Sequence, residues 1–512
     1  MPINMARLQN EQSININNVL FKRQFILGES LPTLSRNWIN QKVGNHYFLS
    51  YHPDLEFAQV RNNYIELTLL GFILDPYQPE ASNVDILNKI LSKDHLTIDI
   101  PQHTISFGGR WILFVTSESD TFAISDPCGL RSIFYGVTKQ NNLWCGSSPT
   151  ILSKELNVEV SDDIKKSFLN SSYVKGEGEY WWPGNTTAFE NIFRVLPNHS
   201  LYLRTRATKR FWPMSMKRKV SLKDAVDQAS FLLKGLLNAA SSRYNLAITM
   251  TAGIDSRTIF AASKNVAEKA YYHSMLIYNL SENSKDVSIP SRLLSKLGYQ
   301  HHVLDCAKAE PDKLFHFVYE QSNGPSHIAW EKMAYGLHRH YPQNYICVKG
   351  NISEIARCEY HKYYHPTNIS PKYLAGVVGM QDNSFATNAF EIWLNDIETL
   401  SKRTGYKILD LFYWEQRCGS WQATNQAEWD IVQEVFTPFN CRLLLEILLG
   451  VDEYQRKPPR FRLHKEIIKS LWPEALFEPI NPQSINLELF KYLKYYAMRL
   501  GLIQLLRKIN TQ

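Results

Sequence analysis

The chain has 512 residues, of which 44% are hydrophobic and 21% charged. Because a single hydrophobic core stops growing near roughly 250–300 residues, we expect two domains, residues 1–213 and 214–512. The net charge of +7, from 56 basic and 49 acidic residues, is small for this length. It argues against a nucleic-acid-binding protein, which usually carries a clustered basic stripe.

The cysteine pattern argues against zinc and redox motifs. Seven cysteines are irregularly spaced, and no Cys-x-x-Cys pair occurs, which fits reduced thiols in the cytoplasm. The first residues lack the pattern of a secretory signal, and no run of roughly 18 apolar residues predicts a membrane span. We therefore expect a cytoplasmic protein with no membrane-bound part.

Residues from about 45 to 205 have the pattern of strands and turns. Apolar or alternating runs bounded by Gly, Asp, Ser and Pro predict strands, and one run with apolar residues on a single side predicts a helix over 83–91. The pattern is typical of an antiparallel α+β domain that ends near 213–220. The predicted strands lie at 47–51, 58–60, 111–115 and 121–125.

The second half alternates strands with helices. A helix over 221–240, capped by Ser221, is followed by strands at 246–250, 270–277, 301–305 and 344–348 and by helices at 258–267 and 289–297. Gly298 is predicted to end the last of these helices. The alternation predicts a doubly wound parallel sheet, with ligand sites at the carboxyl ends of its strands. From about 385 the pattern is mostly helical.

The loop after the first of these strands, Thr251-Ala-Gly-Ile-Asp-Ser-Arg257, has features of an anion site. Thr251 and Ser256 offer hydroxyls, Gly253 permits φ > 0 and close approach of the backbone, and a helix N-terminus favours an anion. Asp255 would repel a phosphate unless a cation such as Mg²⁺ stands between them. The alternative is a βα turn with an ordinary N-cap.

This loop resembles the Ser-Gly-Gly-x-Asp-Ser loop of the ATP pyrophosphatases, the group that contains asparagine synthetase. Ala252 replaces the first glycine. Stretches at 71–76, 108–113, 126–135 and 196–199 resemble, in order, the glutaminase domain of the class B asparagine synthetases. The resemblance implies an N-terminal Ntn-hydrolase-like domain of stacked antiparallel sheets and a C-terminal α/β ATP-pyrophosphatase domain with a helical end.

The glutaminase chemistry of that family is not expected. The family uses an N-terminal cysteine whose own α-amine is the base. This sequence begins Met1-Pro2-Ile3, and its first cysteine, Cys128, lies in a stretch where we expect a structural turn. The N-terminal domain is therefore expected to be a degenerate glutaminase-like scaffold that covers one side of the synthetase site.

The family's later acidic turn resembles residues 348–357 here, with Gly350 in the turn and Ser353 in place of an aspartate. The resemblance makes Asp255 and Glu354 the expected Mg²⁺ ligands. Glu354 is alternatively a general base towards an amine, or a carboxylate that stabilises a helix N-terminus.

The resemblance also implies nucleotide contacts outside the loop. Asp286 matches a position near the nucleotide, with a helix cap or surface carboxylate as the alternative. Met275 is expected beside the adenine by its position at the end of the second strand. Arg257 adds a cation for a phosphate, or has a surface or core role.

The remaining catalytic candidates are two cations. Arg417 is expected to bind a substrate carboxylate or phosphate, or to pair with Glu415 or Glu434. The family's lysine, which stabilises charge during amide formation, is missing from the stretch 472–482, and Lys465 is the candidate substitute.

These features predict an ATP-dependent, glutamine-independent ligase that adenylates a small-molecule or peptide carboxylate and passes it to an amine. Natural-product, peptide and polysaccharide tailoring all fit, and a homodimer is left open. The alternatives are a non-catalytic scaffold or nucleotide-binding protein, and an asparagine synthetase that uses free ammonia. A tRNA-modifying enzyme would need an RNA-binding appendage and catalytic cysteines, and neither is seen.

Overall fold

The structure, a computed structural model, describes residues 19–34, 37–92, 99–138, 140–176, 179–306, 308–362, 366, 368–482, 492–493 and 496. Met1-Pro2-Ile3, on which the expectation about glutamine hydrolysis depends, lies outside the described residues. Within the described chain, no helix combines the length and the apolar character that crossing a bilayer requires.

The N-terminal half contains two six-stranded antiparallel sheets. The strands are β1 (Phe25–Gly28), β2 (Ile39–Val43), β3 (Tyr47–Tyr51), β4 (Phe57–Arg61), β5 (Ile65–Leu74), β6 (Gly108–Ser117), β7 (Thr121–Ser125), β8 (Phe134–Val137), β9 (Leu143–Gly146), β10 (Ile192–Arg194), β11 (His199–Tyr202) and β12 (Ala207–Arg210). One sheet has the order β10-β8-β9-β1-β3-β2 and the other β12-β11-β7-β6-β5-β4.

The two sheets are stacked face to face. Phe25 and Leu49 of the first sheet share one buried cluster with Leu70 and Phe114 of the second. The opposite face of the second sheet is covered by the helix Asn83–Leu91, whose Ile86, Leu87 and Ile90 are buried. Because β5 and β6 are covered on both faces, they form almost continuous apolar runs instead of alternating ones.

The turn after β7 is structural, as its sequence predicts. The Asp126 carboxylate accepts hydrogen bonds from the backbone N–H groups of Leu130 at 2.9 Å and Arg131 at 2.8 Å. Gly129 has φ +64°, a conformation that glycine adopts without strain. The turn keeps Cys128 fully buried.

The C-terminal half contains a parallel sheet of five strands in the order β15-β14-β13-β16-β17. Its strands are β13 (Asn245–Thr249), β14 (Tyr271–Leu276), β15 (His301–Asp305), β16 (Tyr345–Val348) and β17 (Val435–Phe436). The predicted parallel strands are confirmed. The two-residue β17 was not predicted, because it lies inside a mostly helical pattern.

The longer helices of the C-terminal half follow the predicted order. Ser221 caps the first by accepting a hydrogen bond from the N–H of Asp224, and Gly298 follows the Lys285–Lys296 helix with φ +81°. Two predicted helix starts were wrong. The helix expected at 258–267 spans Ile254–Ala262, directly after the loop, and the helix expected at 289–297 spans Lys285–Lys296. The helices are Leu222–Arg243, Ile254–Ala262, Lys285–Lys296, Lys313–Asn323, Ile328–His340, Pro371–Val377, Ser384–Thr404, Ile408–Phe412, Ala423–Trp429, Arg442–Gly450, Glu453–Arg456 and Arg462–Leu471, with a π-helical stretch at Tyr413–Gln422.

A buried ion-pair network joins the two halves. Arg110 of β6 donates to both carboxylate oxygens of Asp430, at 2.5 and 2.9 Å, and to Glu434 at 2.8 Å. Arg131 donates to the other oxygen of Glu434 at 2.7 Å. Asn440 adds a hydrogen bond of 2.8 Å to Asp126. We refer to the network of Arg110, Arg131, Asp430 and Glu434 as the seam.

Candidate functional site

The loop that follows β13 is held by its own hydroxyl groups. Ser256 Oγ lies 2.8 Å from Thr251 Oγ1 and accepts a hydrogen bond from the Thr251 N–H. Thr251 Oγ1 accepts a further bond of 3.1 Å from the N–H of Gly253. Gly253 is the N-cap of the Ile254–Ala262 helix and has φ −71°, so the left-handed conformation that a glycine permits is not used here.

A second turn, after β16, packs directly against this loop. A Cβ on Gly350 would lie 2.7–2.9 Å from the backbone of Asp255 and Ser256, so only glycine fits. Ile352, two residues later, is buried and has φ +79°. A β-branched residue in this region is a strained outlier, and such strain clusters at functional sites.

The two turns bring the predicted carboxylates together around one guanidinium. Arg357 NH2 lies 2.9 Å from Asp255 Oδ2 and 3.6 Å from Glu354 Oε1. The hydroxyl of Ser353 donates a hydrogen bond to Asp255 Oδ1. The Asp255 and Glu354 side chains keep 18% and 19% of their surface exposed, so the pair borders solvent.

The electrostatics of this pair favour an added cation. Burial, followed by the charge of Asp255, raises the pKa of Glu354 to about 7. Burial also raises the pKa of Asp255, although Arg357 and Ser353 oppose that rise. Burial works against the charge of Arg357, but the nearby carboxylates hold its pKa above its usual range. Arg357 received no role in the sequence interpretation, although its position three residues after Glu354 placed it within reach.

Two residues predicted near the nucleotide brace the loop. The Asp286 carboxylate accepts a hydrogen bond of 3.0 Å from the N–H of Ala252. Arg257 is fully buried, and its NH1 donates to the carbonyls of Ala475 at 2.7 Å and Glu478 at 2.8 Å. These contacts are those of the core role for Arg257, one of its two alternatives. Met275 lies half-buried near the end of β14.

Arg417 lies on the π-helical stretch, with its guanidinium 3.9 Å above the ring of Trp421. The predicted alternative partners bind other arginines: Glu415 accepts from Arg210 at 2.9 Å, and Glu434 belongs to the seam. The alternative that Arg417 pairs with either of them is therefore wrong.

The π-helical stretch also approaches the carboxylate pair. Burial, and then the charge of Glu354, raises the pKa of Tyr413 well above its usual range. The Tyr413 ring packs 5.0 Å from that of Tyr360. The π-helical stretch therefore forms one wall of the site.

Lys465 lies half-buried in the first turn of the Arg462–Leu471 helix. Its neighbour His464 is fully buried, and burial, followed by the charge of Arg357, lowers the pKa of His464 to about 3. Phe461, at the start of the same helix, has its ring 5.6 Å from the Arg357 guanidinium. The start of this helix therefore lies beside Arg357. Among the described residues, Lys465 forms no hydrogen bond or ion pair with the loop 251–257.

A second cluster of metal-ligand type occurs in the described chain. Cys358, His361 and Glu453 place one ligand atom each within 4.8 Å of one another. Glu453 already forms ion pairs with Lys407 and Lys457. A dication bound there would add to the positive charge of these two lysines.

Comparison with known proteins assigns no family. No protein-family model matches the chain, and no curated protein matches it. Among solved structures, the glutamine phosphoribosylpyrophosphate amidotransferase of B. subtilis, in complex with ADP and GMP, is 10% identical over 64% of this chain and 90% of its own, with a TM-score of 0.26. The allosteric regulatory enzyme of purine biosynthesis is 11% identical over 64% of this chain and 88% of its own, also with a TM-score of 0.26. Likeness at this level supports no conclusion about activity.

Proposed function

We propose that the chain is an ATP-dependent carbon–nitrogen ligase, which activates a substrate carboxylate as an acyl-adenylate and transfers the acyl group to an amine. The observation that carries this proposal is the meeting of Asp255 and Glu354 at the carboxyl ends of β13 and β16, beside a helix N-terminus. In parallel α/β sheets, ligands bind at this edge. The resemblance of residues 251–256 to the asparagine synthetase-type loop supports ATP as the nucleotide.

The donor set fits a magnesium ion. Mg²⁺ binds through one or two carboxylates together with phosphate oxygens, and Asp255 and Glu354 are the residues that would hold it. Burial raises the pKa values of both carboxyl groups, and the charge of Arg357 does not fully offset that rise. When bound, the ion would supply positive charge to the pyrophosphate leaving group.

The chain's own groups supply the remaining steps. The N–H groups at the start of the Ile254–Ala262 helix bind phosphate oxygens and orient the α-phosphorus towards the substrate carboxylate. A carboxylate oxygen attacks that phosphorus, and the bond to the β-phosphate breaks to release pyrophosphate. The amine then attacks the acyl carbon, AMP leaves, and the proton of the amine passes to solvent.

The nitrogen donor in this proposal is an amine or ammonia, not glutamine. All seven cysteines are buried, and burial raises the pKa of the Cys128 and Cys145 thiols. Glutamine hydrolysis of the resembling kind needs an accessible thiolate. None of the chain's own thiols provides one.

A second candidate function is a non-catalytic scaffold. Its specific support is that Asp255 already has partners, an ion pair with Arg357 and a hydrogen bond from Ser353. Arg257 donates its hydrogen bonds to backbone carbonyls and so is not directed at a phosphate. In that case Arg357 would permanently occupy the place of a metal ion.

Pyrophosphate exchange separates the two candidates. The chain is incubated with ATP, Mg²⁺, labelled pyrophosphate and a panel of amino and aliphatic carboxylates. The ligase predicts carboxylate-dependent incorporation of label into ATP, lost in Asp255→Asn and retained in Asp163→Asn, the same change at an exposed site. Hydrolysis to ADP and phosphate, or exchange unchanged in Asp255→Asn, would overturn the proposal.

A further inference from the structure

A buried arginine without a carboxylate partner lies between the two halves of the described chain. Arg194, the last residue of β10, keeps 3% of its surface exposed. Its NH1 donates to the Gly419 carbonyl at 2.7 Å and to Ser132 Oγ at 3.4 Å, and its NH2 donates to Thr424 Oγ1 at 3.1 Å. Its Nε has no acceptor among the described residues. All of these hydrogen-bond partners of Arg194 are neutral, so no direct ion pair within the described chain balances its charge.

The burial of this charge is costly for the fold. An ionised group inside a protein is normally paired, because transfer out of water without a counterion is strongly unfavourable. Burial lowers the pKa of Arg194 to about 9, as expected for a cation that lacks a counterion. At neutral pH the guanidinium still carries its charge.

Arg194 lines a small cavity together with several residues that carry hydroxyl groups. The cavity has a volume of about 50 Å³. That is several times the roughly 10–15 Å³ that one water molecule requires, and far too small for a nucleotide. The hydroxyl-bearing residues that line it are Ser132, Ser147, Ser148, Thr150, Thr187 and Thr424.

A helix N-terminus contributes a second source of positive potential. The helix Pro149–Leu156 begins at the cavity, since Ser148, Pro149 and Thr150 all line it. Ser148 Oγ caps only the N–H of Ile151, at 3.3 Å. Pro149 has no N–H, so the N–H of Thr150 is the first-turn donor left without an intrahelical acceptor, and the helix dipole favours a negative charge at this end.

The one carboxylate in the cavity wall is already balanced. Glu428 Oε1 lies 2.6 Å from His327 Nδ1, and His327 Nε2 lies 2.8 Å from the Tyr180 carbonyl. Burial opposes the charge of His327, but Glu428 outweighs it and raises the pKa of His327. Glu428 is therefore paired with His327, and Arg194 forms no ion pair with it among the described residues.

We propose that this cavity binds one small monovalent anion, of the size of chloride or formate, between Arg194 and the N-terminus of the Pro149–Leu156 helix. A single negative charge matches the single guanidinium, whose hydrogen-bond partners in the described chain are all neutral. Because Arg194 also holds Gly419 and Thr424 of the C-terminal half, the anion stabilises the contact between the halves. This site is separate from Asp255 and Glu354 and does not depend on the proposed ligase activity.

Bromide soaking of crystals of the full chain tests the site directly. Bromide replaces chloride and gives an anomalous signal. An anomalous peak within hydrogen-bond distance of the Arg194 guanidinium is expected. Density in the cavity that is explained by water alone, without an anomalous peak, would overturn the proposal.

Thermal unfolding tests the effect on stability. Chloride replaces gluconate at constant ionic strength, so that only a bound small anion changes the midpoint. The wild-type midpoint is expected to rise saturably by about 2 °C. The rise should vanish in Arg194→Gln and persist in Arg442→Gln, which removes another buried arginine that does not line this cavity. An equal rise in both variants, or none in the wild type, would contradict an anion at Arg194.

Discussion

Arg357 sets the charge balance at the candidate site. It is the only described cation that forms an ion pair with Asp255, at 2.9 Å, and it also reaches Glu354. A carboxylate beside a loop that binds phosphate would require a cation, and the sequence interpretation supplied Mg²⁺ for this reason. The structure shows that the chain contributes one cation of its own, which the ligand-free protein needs to keep two carboxylates close together.

Replacing Arg357 is expected to change metal affinity and stability in opposite directions. Arg357→Gln leaves Asp255 and Glu354 without their counterion, so Mg²⁺ should bind about tenfold more tightly in calorimetric titration. Without metal, the variant should lose about 3–5 kcal/mol of unfolding free energy, because a buried pair is broken. Weaker Mg²⁺ binding by a folded variant would show that Arg357 does not compete with a metal.

The pKa of Glu354 predicts how stability depends on pH. The folded-state pKa of about 7 lies above the usual glutamate value of 4.5, so the folded protein holds a proton that the unfolded chain releases. Stability should therefore fall as pH rises from about 4.5 to 7. Glu354→Gln removes this dependence and should be more stable than wild type at pH 8, by on the order of 1–3 kcal/mol.

Urea unfolding of wild type and Glu354→Gln at pH 5 and pH 8 measures this difference. Parallel pH dependences would mean that Glu354 titrates normally. The same ionisation governs metal binding, since only the carboxylate binds Mg²⁺ well. Mg²⁺ affinity of the wild type should accordingly weaken as pH falls below about 7.

At the scale of elements, the site depends on the close contact of two turns. Gly350 follows β16 closely and touches the backbone at the start of the Ile254–Ala262 helix. The sequence could predict that both turns lie at the carboxyl edge of one sheet, because β13 and β16 are recognisable apolar runs. It could not predict their contact, since neither the pairing of β13 with β16 nor its register is written in either segment alone.

Adding one methyl group at Gly350 tests this contact. In Gly350→Ala the new Cβ would lie 2.7–2.9 Å from the backbone of Asp255 and Ser256 and would push the turns apart. The expected destabilisation is about 1–3 kcal/mol, with weakened ATP binding in a filter or calorimetric assay. Gly376→Ala is the control, because its Cβ would meet nothing nearer than 3.8 Å. Equal behaviour of the two variants would show that the turns are not tightly packed.

Element boundaries show where sequence reasoning reaches its limit. The long helices and apolar strands were predictable from periodicity and caps, as at Ser221 and Gly298. The helix after the loop starts four residues before the predicted Thr258, because Gly253 serves as its N-cap without a capping hydroxyl. β17 is defined by its pairing with β16, and it could not be predicted because a strand of two residues shows no periodicity.

For the whole molecule, the seam couples the antiparallel sheets to the helical C-terminal part. Arg110 and Asp430 are 320 positions apart in sequence, and both are nearly fully buried. The division into two domains at residue 213 stays a prediction from length and pattern. The seam could not be predicted in this way, because a charged residue within a strand or helix pattern is expected to face solvent unless its distant partner is known.

Breaking the seam should destabilise both halves together. Asp430→Asn leaves Arg110 buried with only one full carboxylate partner, Glu434, and is expected to cost about 3–5 kcal/mol in chemical unfolding. Glu398→Gln, which breaks an exposed pair with Lys402, should cost at most about 1 kcal/mol. Similar costs for the two changes would show that the seam contributes no more than a surface pair.

The central claim is that Asp255 and Glu354 form the metal end of an ATP site, and Mg²⁺-dependent binding of ATP tests it most directly. Calorimetric titration of the full chain with ATP, with and without Mg²⁺, should show binding that requires the metal. Asp255→Asn should abolish that binding while Asp163→Asn leaves it unchanged. ATP binding that is unchanged without Mg²⁺ and in Asp255→Asn would contradict the account. So would a folded wild-type protein that binds no ATP.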